Sequence, residues 1–309
     1  MAGHRLSFGM VVLLGCLNVP ATTAVSEAVS EWRGYVGVET RVFLEDPMFH
    51  DQHRWYGSAV LHPEYHREWD DGYHRLVVAP FLRDECPADC RTLADIRELY
   101  YERVRDKWEV RLGFRQIFWG VTESQHLVDI VNQTDLVENI DTEDKLGQPM
   151  LEINRVEDWG TLKLFILPYF RERTFPGREG RLRGPLPVEI DEAEYESSRK
   201  QWHTDFALRY QHYVGAWDFG VSYFYGTTRD PLLEPRRPGG VLEVVPVYDL
   251  VHQLGADVQY TRDAWLWKFE GIVREGQDET FGAVTAGFEY TFFGLGDSDV
   301  GLGILAEWL

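Results

Sequence analysis

Two sets of charged residues in this chain have the types and spacing to act on a solute. One is acidic and lies within residues 120–149: Asp129, Asp135, Glu138, Asp141, Glu143 and Asp144. The other is basic and falls on alternate positions of the flanking segments: Arg111, Arg115, Lys163, Arg171 and Arg209. Set against each other across water, they would create a transverse field that orients polar solutes. The same charges would also serve as ordinary ion pairs that brace a wet interior. Lysine occurs only as Lys107, Lys145, Lys163, Lys200 and Lys268, so most positive charge is guanidinium, whose planar fork suits carboxylates. Five arginines from Arg171 to Arg183 lie close to Asp191, Glu192, Glu194 and Glu196, and these two blocks are expected to neutralise each other.

Catalytic constellations are scarce. The chain has no G-x-S-x-G, no H-E-x-x-H and no phosphate-loop lysine motif, and it is not expected to be an enzyme. His203, Asp205 and a serine can be assembled into a triad on paper, which keeps an outer-membrane phospholipase or protease as the rival class. The carboxylates from Asp135 to Asp144 are compatible with Ca2+, but they lack the EF-hand spacing and its glycine. No other cofactor and no structural metal is expected.

The elements that must position these residues begin after a leader. Arg5, the apolar run 8–17 and the small residues of 21–24 (ATTA) read as a cleaved secretory signal over residues 1–24. A lipoprotein signal ending at Cys16 is the alternative. No later run is long enough for a membrane helix, so the remaining way to cross a bilayer is a closed barrel. A net charge of −20 excludes nucleic acid as a partner. Cys86 and Cys90 (DECPADC) are expected to form a loop disulfide.

Alternation with period two runs through the mature chain, residues 25–309. Val36, Val38, Thr40 and Val42 alternate with Glu39 and Arg41; Trp108, Val110, Leu112 and Phe114 alternate with Glu109, Arg111 and Arg115. Trp202, Phe206 and Leu208 alternate with His203, Asp205 and Arg209, and Trp265, Trp267, Phe269 and Val273 with Lys268, Glu270 and Arg274. Trp108, Trp202, Trp217 and Trp265 each begin an apolar face beside a turn, as an interfacial girdle requires. Tight turns at 70–73, 105–108, 157–160, 214–217 and 261–265 alternate with long polar links at 45–54, 84–92, 120–149, 173–199 and 227–248.

That pattern predicts an all-β fold: a transmembrane antiparallel up-and-down barrel with short periplasmic turns and long extracellular loops, in the outer membrane of a Gram-negative bacterium. About thirteen strands are expected, the last at residues 299–309. An odd count, and a final Leu309 where an aromatic is usual, predict a barrel incomplete at its C-terminus. In the strand over 94–105, Leu99 and Tyr101 are expected to face lipid and Glu98, Tyr100 and Glu102 the lumen, with Arg97 and Arg103 snorkelling at the rims. Within 120–149, Leu127, Ile130, Val131 and Leu136 have helical spacing, and the loop is expected to narrow or plug the pore.

Residues 113–135, GFRQIFWGVTESQHLVDIVNQTD, resemble a group of proteobacterial porin-like outer-membrane proteins that are distantly similar to alginate-export barrels. The shared pattern is R-Q-x-x-x-W-G followed by D-x-x-N-x-x-D, here Arg115, Gln116, Trp119 and Gly120, then Asp129, Asn132 and Asp135. The resemblance implies a channel, with Arg115, Gln116, Asp129, Asn132 and Asp135 shaping its constriction. The expected function is therefore passive diffusion of small hydrophilic solutes, anionic ones included, or else a plugged structural barrel. The partners expected are outer-membrane lipid, lipopolysaccharide and the barrel assembly machinery.

Overall fold

The structure, a computed structural model, describes residues 28–88, 91–237, 240, 242–277, 279–294, 298 and 300–309. The leader and Cys90 lie outside these residues. In chain order the strands are β1 (Ala28–Val42), β2 (Trp55–Trp69), β3 (His74–Cys86), β4 (Leu93–Arg105), β5 (Trp108–Arg115) and β6 (Gln148–Glu157). They continue with β7 (Gly160–Leu167), β8 (Glu194–Tyr195), β9 (Asp205–Val214), β10 (Trp217–Thr227), β11 (Leu232–Arg236) and β12 (Glu243–Tyr248). The last four are β13 (Leu250–Arg262), β14 (Trp265–Gly276), β15 (Glu279–Phe292) and β16 (Leu302–Trp308).

Thirteen of these strands form one antiparallel up-and-down sheet in sequence order, while β11, β12 and β8 make a small separate sheet inside the long loops. The two edges of the large sheet are β1 and β16. The sheet is rolled around residues 116–147, because that one segment meets inward-facing residues along most of the strand order: Arg83 on β3 and Arg97 on β4 at one end, Phe165 on β7 between, and Glu270 on β14 and Glu307 on β16 at the other.

Rolling sorts the side chains by face. Val36, Val38, Leu112, Leu208, Leu254, Val273 and Val284 are exposed on the outside, while Glu102, Glu152, Arg209, Asp257, Lys268 and Glu270 are buried inside. The outward face is therefore apolar and the inward face charged, the inverse of a water-soluble sheet. Trp108, Trp217 and Trp265 open β5, β10 and β14 at the short-turn rim, where Trp265 stacks on Trp267 at 5.3 Å. Trp202 belongs to a 3-10 turn, Lys200–Trp202, at the opposite rim.

The five expected tight turns lie where the sequence places them. Aspartate supplies the left-handed backbone three of them need: Asp70, Asp71, Asp106 and Asp263 all have φ 54°. The last two connections reverse the expected plan. Strand β14 ends and β15 begins at the long-loop rim with two residues of sequence between them, and β15 ends and β16 begins at the short-turn rim with nine between them.

One register expectation is corrected. Leu99 and Tyr101 do face outward, and Tyr100 and Glu102 inward. Arg97, however, is buried rather than snorkelling. The β3–β4 pairing steps from Ala79 opposite Glu98 to Pro80 opposite Ile96, leaving Arg97 as the extra residue of a β-bulge. A bulge re-aims one side chain, and this one turns the guanidinium into the lumen.

Candidate functional site

Residues 116–147, between β5 and β6, fold into the space enclosed by the rolled sheet. They contain no helical turn, contrary to the expectation from Leu127, Ile130, Val131 and Leu136. Their apolar residues instead pack on the wall: Trp119, Val128, Ile130 and Val131 join Met150, Phe165, Leu167, Phe224, Val251 and Ile272 in one buried cluster. Leu127 packs against the same cluster, whose wall members come from six strands, so the spacing serves packing on the wall without a helix.

The segment is held in shape by its own polar residues. Asn132 is 1% exposed; its Oδ1 accepts from the Ile117 amide at 2.8 Å, and its Nδ2 donates to the carbonyls of Arg115 at 2.7 Å and Leu146 at 2.8 Å. One side chain thus clamps three passes of chain. Asp129 accepts from the Trp119 amide at 3.2 Å and pairs with Lys145 at 3.2 Å. Burial pushes the Asp129 carboxyl above its ordinary range, with Lys145 opposing. Asp135, fully buried, accepts from Arg97 at 2.6 Å and from the Thr174 hydroxyl at 2.6 Å. The side chain of Gln116 donates to the Lys145 carbonyl.

Wall residues tether the rest. Glu270 on β14 accepts from the amides of Val121 at 2.6 Å, Thr122 at 2.9 Å and Val128 at 3.1 Å, and from the Thr122 hydroxyl at 2.8 Å. Gly120 makes this approach possible: its φ is +134°, and an added Cβ would lie 2.9 Å from Glu270 Oε1. Glu307 on β16 accepts from the Ser124 amide at 2.7 Å, and Glu123 reaches Lys268 at 2.6 Å. Glu138 is gripped by Arg83 on β3, which also reaches Glu39 at 3.0 Å and Ser58 at 2.7 Å. Arg229 donates to the Val131 carbonyl at 3.0 Å and pairs with Asp205 at 2.7 Å.

The expected confrontation between loop acids and wall arginines is replaced by a different pairing. Arg111 is held by Glu102 at 2.7 Å, Glu109 at 2.8 Å and Glu152 at 2.9 Å. Arg115 pairs with Glu152 and stacks over Tyr100 at 4.8 Å. Arg209 forks onto Asp257 at 2.7 and 2.9 Å and lies 5.3 Å from the Trp119 ring. Arg171 reaches Asp95 at 2.8 Å and the Gly147 carbonyl at 2.7 Å. Asp141 is exposed and bonded to Asn139 at 2.6 Å. The loop acids take Arg83, Arg97, Lys145 and Lys268, of which the alternation marked only Lys268 as inward. Nothing local in the sequence marks Arg83 or Glu270 as tethers.

The loop leaves a cavity on each side of itself. On the long-loop side, about 320 Å³ is bounded by His126, Asp129, Lys145, Arg173 and Arg274. On the short-turn side, about 450 Å³ is bounded by Arg111, Arg115, Trp119, Lys163, Arg209 and Asp257. Elsewhere, His203 Nδ1 lies 2.8 Å from Asp205, but Arg229 and the Thr227 amide also claim that carboxylate. Cys86 is exposed at the end of β3; Cys90, its expected disulfide partner, lies outside the described residues. Among the described residues, no three His, Cys, Asp or Glu side chains are gathered to hold a metal ion.

No family model and no curated protein matches the chain, so the porin-like family expected from residues 113–135 is not shown. Among solved structures, the chain is similar to OmpT, an outer membrane protein of Vibrio cholerae, folded in vitro and in its trimer form. The two are 11% identical over 92% of this chain and 99% of that one, with a TM-score of 0.32.

Proposed function

We propose that this chain is an outer-membrane β-barrel that passes small hydrophilic solutes by diffusion, with residues 116–147 as its constriction. The observation that carries the reading is the pair of charged cavities, about 320 and 450 Å³, on the two sides of one tethered loop inside a rolled sheet. An apolar exterior with tryptophans at the rims supports insertion in lipid, and a charged interior supports hydrated traffic. In this reading the short turns face the periplasm, the exterior meets lipid and lipopolysaccharide, and no residue is catalytic.

Single-channel recording of the refolded protein in a planar bilayer tests it. Discrete conductance steps are expected, with ion preference read from the reversal potential in a salt gradient. Electrical silence from protein shown to be folded and inserted would leave a plugged structural barrel or an enzyme in its place.

A further inference from the structure

We propose that the cavity on the short-turn side of the loop binds a small organic monocarboxylate, with Lys163 holding its charge. The proposal deepens the channel reading and rests on it for how the solute arrives.

Four cations bound this cavity: Arg111, Arg115, Lys163 and Arg209. Three are committed, Arg111 and Arg115 to Glu152 and Arg209 to Asp257. Lys163 sits on β7 directly between Asn154 of β6 and Arg209 of β9, and it makes neither a hydrogen bond nor an ion pair among the described residues. An ammonium half-withdrawn from water beside three guanidiniums, with Glu109 and Asp218 as the nearby carboxylates it does not bond, gains from a further anion held directly on it. Nε of Arg115 also lacks an acceptor, but it is buried, so Lys163 is the group left open toward this space.

The rest of the lining narrows the class of anion. Ile117 and Phe118 give the cavity an accessible apolar side that suits a carbon skeleton. Glu152 and Asp257 border it too, and they would repel a dianion such as phosphate more than a singly charged carboxylate. One carboxylate on Lys163, with its hydrocarbon against Ile117 and Phe118, satisfies both sides.

The probe is benzoate, titrated calorimetrically into the refolded protein in detergent, with benzyl alcohol as its neutral counterpart. Benzoate should bind the wild type, bind Lys163→Gln about tenfold or more weakly, and bind Lys163→Arg nearly as well. Lys107→Gln, an exposed charge change outside the cavity, should bind as the wild type does. The five lysines allow a second readout without any loss of charge. After reductive 13C-dimethylation of the wild type, the Lys163 resonance should move with benzoate while those of Lys107 and Lys200 stay. Equal affinity of Lys163→Gln, equal binding of benzyl alcohol, or an unmoved Lys163 signal would overturn the proposal. Conductance without benzoate binding removes the subsite and leaves the channel; binding without conductance removes the channel.

Discussion

Arg97 and Asp135 meet at 2.6 Å inside the rolled sheet, and they meet because β4 carries one residue more than β3 opposite it. The same guanidinium reaches Asp95 at 3.1 Å and the Lys145 carbonyl at 2.7 Å, and it covers the Phe81 ring at 4.5 Å. Gly147 permits this closeness, since a Cβ there would lie 2.0 Å from the Ile96 carbonyl oxygen. Both members of the pair are buried, at 6% and 0% side-chain exposure. Removing one partner of a buried pair strands the other charge and costs about 3–5 kcal/mol. Arg97→Met should therefore destabilise the protein by about that much in urea unfolding from lipid vesicles, and adding Asp135→Asn should recover part of it. A single variant as stable as the wild type would mean that Asp135 has no need of Arg97.

Glu270 accepts four hydrogen bonds from residues 116–147. It is fully buried and receives three amides and a hydroxyl from residues 121–128. Glu270→Ala leaves those donors without their acceptor, at about 1–3 kcal/mol for each buried one. Amide exchange at Val121, Thr122 and Val128 should then accelerate about tenfold or more, while β9 and β10 keep their protection. In the channel reading, open-state conductance should rise or become noisier. Unchanged exchange at all three amides would show that apolar packing alone holds the segment.

Much of the wall was legible because strands and turns are local. Period-two alternation depends only on the face a residue takes, and Asp70, Asp71, Asp106 and Asp263 announce turns through their own tolerance of positive φ. What lies inside the wall was not legible in the same way. The bulge at Arg97 exists only relative to the residue count of β3. The spacing of Leu127, Ile130 and Val131 mimics a helix, yet their partners come from strands far along the chain. Asp129, Asn132 and Asp135 were marked by the resemblance as pore-shaping; their geometry is that of braces, each facing backbone or a fixed cation. Alternation gives the face of a wall arginine but not which carboxylate stands beside it, so it left open whether these charges confront the loop acids or brace the wall; the structure has the bracing pairs.

Asp144 makes the stability of the fold depend on pH. Burial, followed by repulsion from Glu138 and Asp141, pushes its carboxyl up to about 6. The folded protein therefore holds this proton more tightly than the unfolded chain, whose carboxyl has the ordinary aspartate value of about 4. The stabilisation this gives is complete below the unfolded value and is lost as pH rises through about 6. Asp144→Asn removes that loss. Its urea midpoint should match the wild type at acid pH and exceed it at neutral pH. A difference that stays constant across this window would mean that Asp144 titrates normally.

Leu208 tests which solvent the outer face meets. It is 42% exposed on β9, paired with Leu164 on one side and Tyr223 on the other, all three pointing outward. It stands six residues from the short turn after Val214, which on a tilted strand is ~15 Å from that rim, near the middle of a lipid-facing band ~25 Å tall. Arginine at the midplane of such a band costs ~2–4 kcal/mol, whereas on a water-facing strand surface an arginine usually changes stability by under about 0.5 kcal/mol. Leu208→Arg should lower stability in lipid vesicles by the larger amount. The same substitution at Tyr213, 76% exposed at the rim, should cost far less because the side chain there reaches water. Two equally small effects would remove lipid from the outside of the sheet, and the channel reading would go with it.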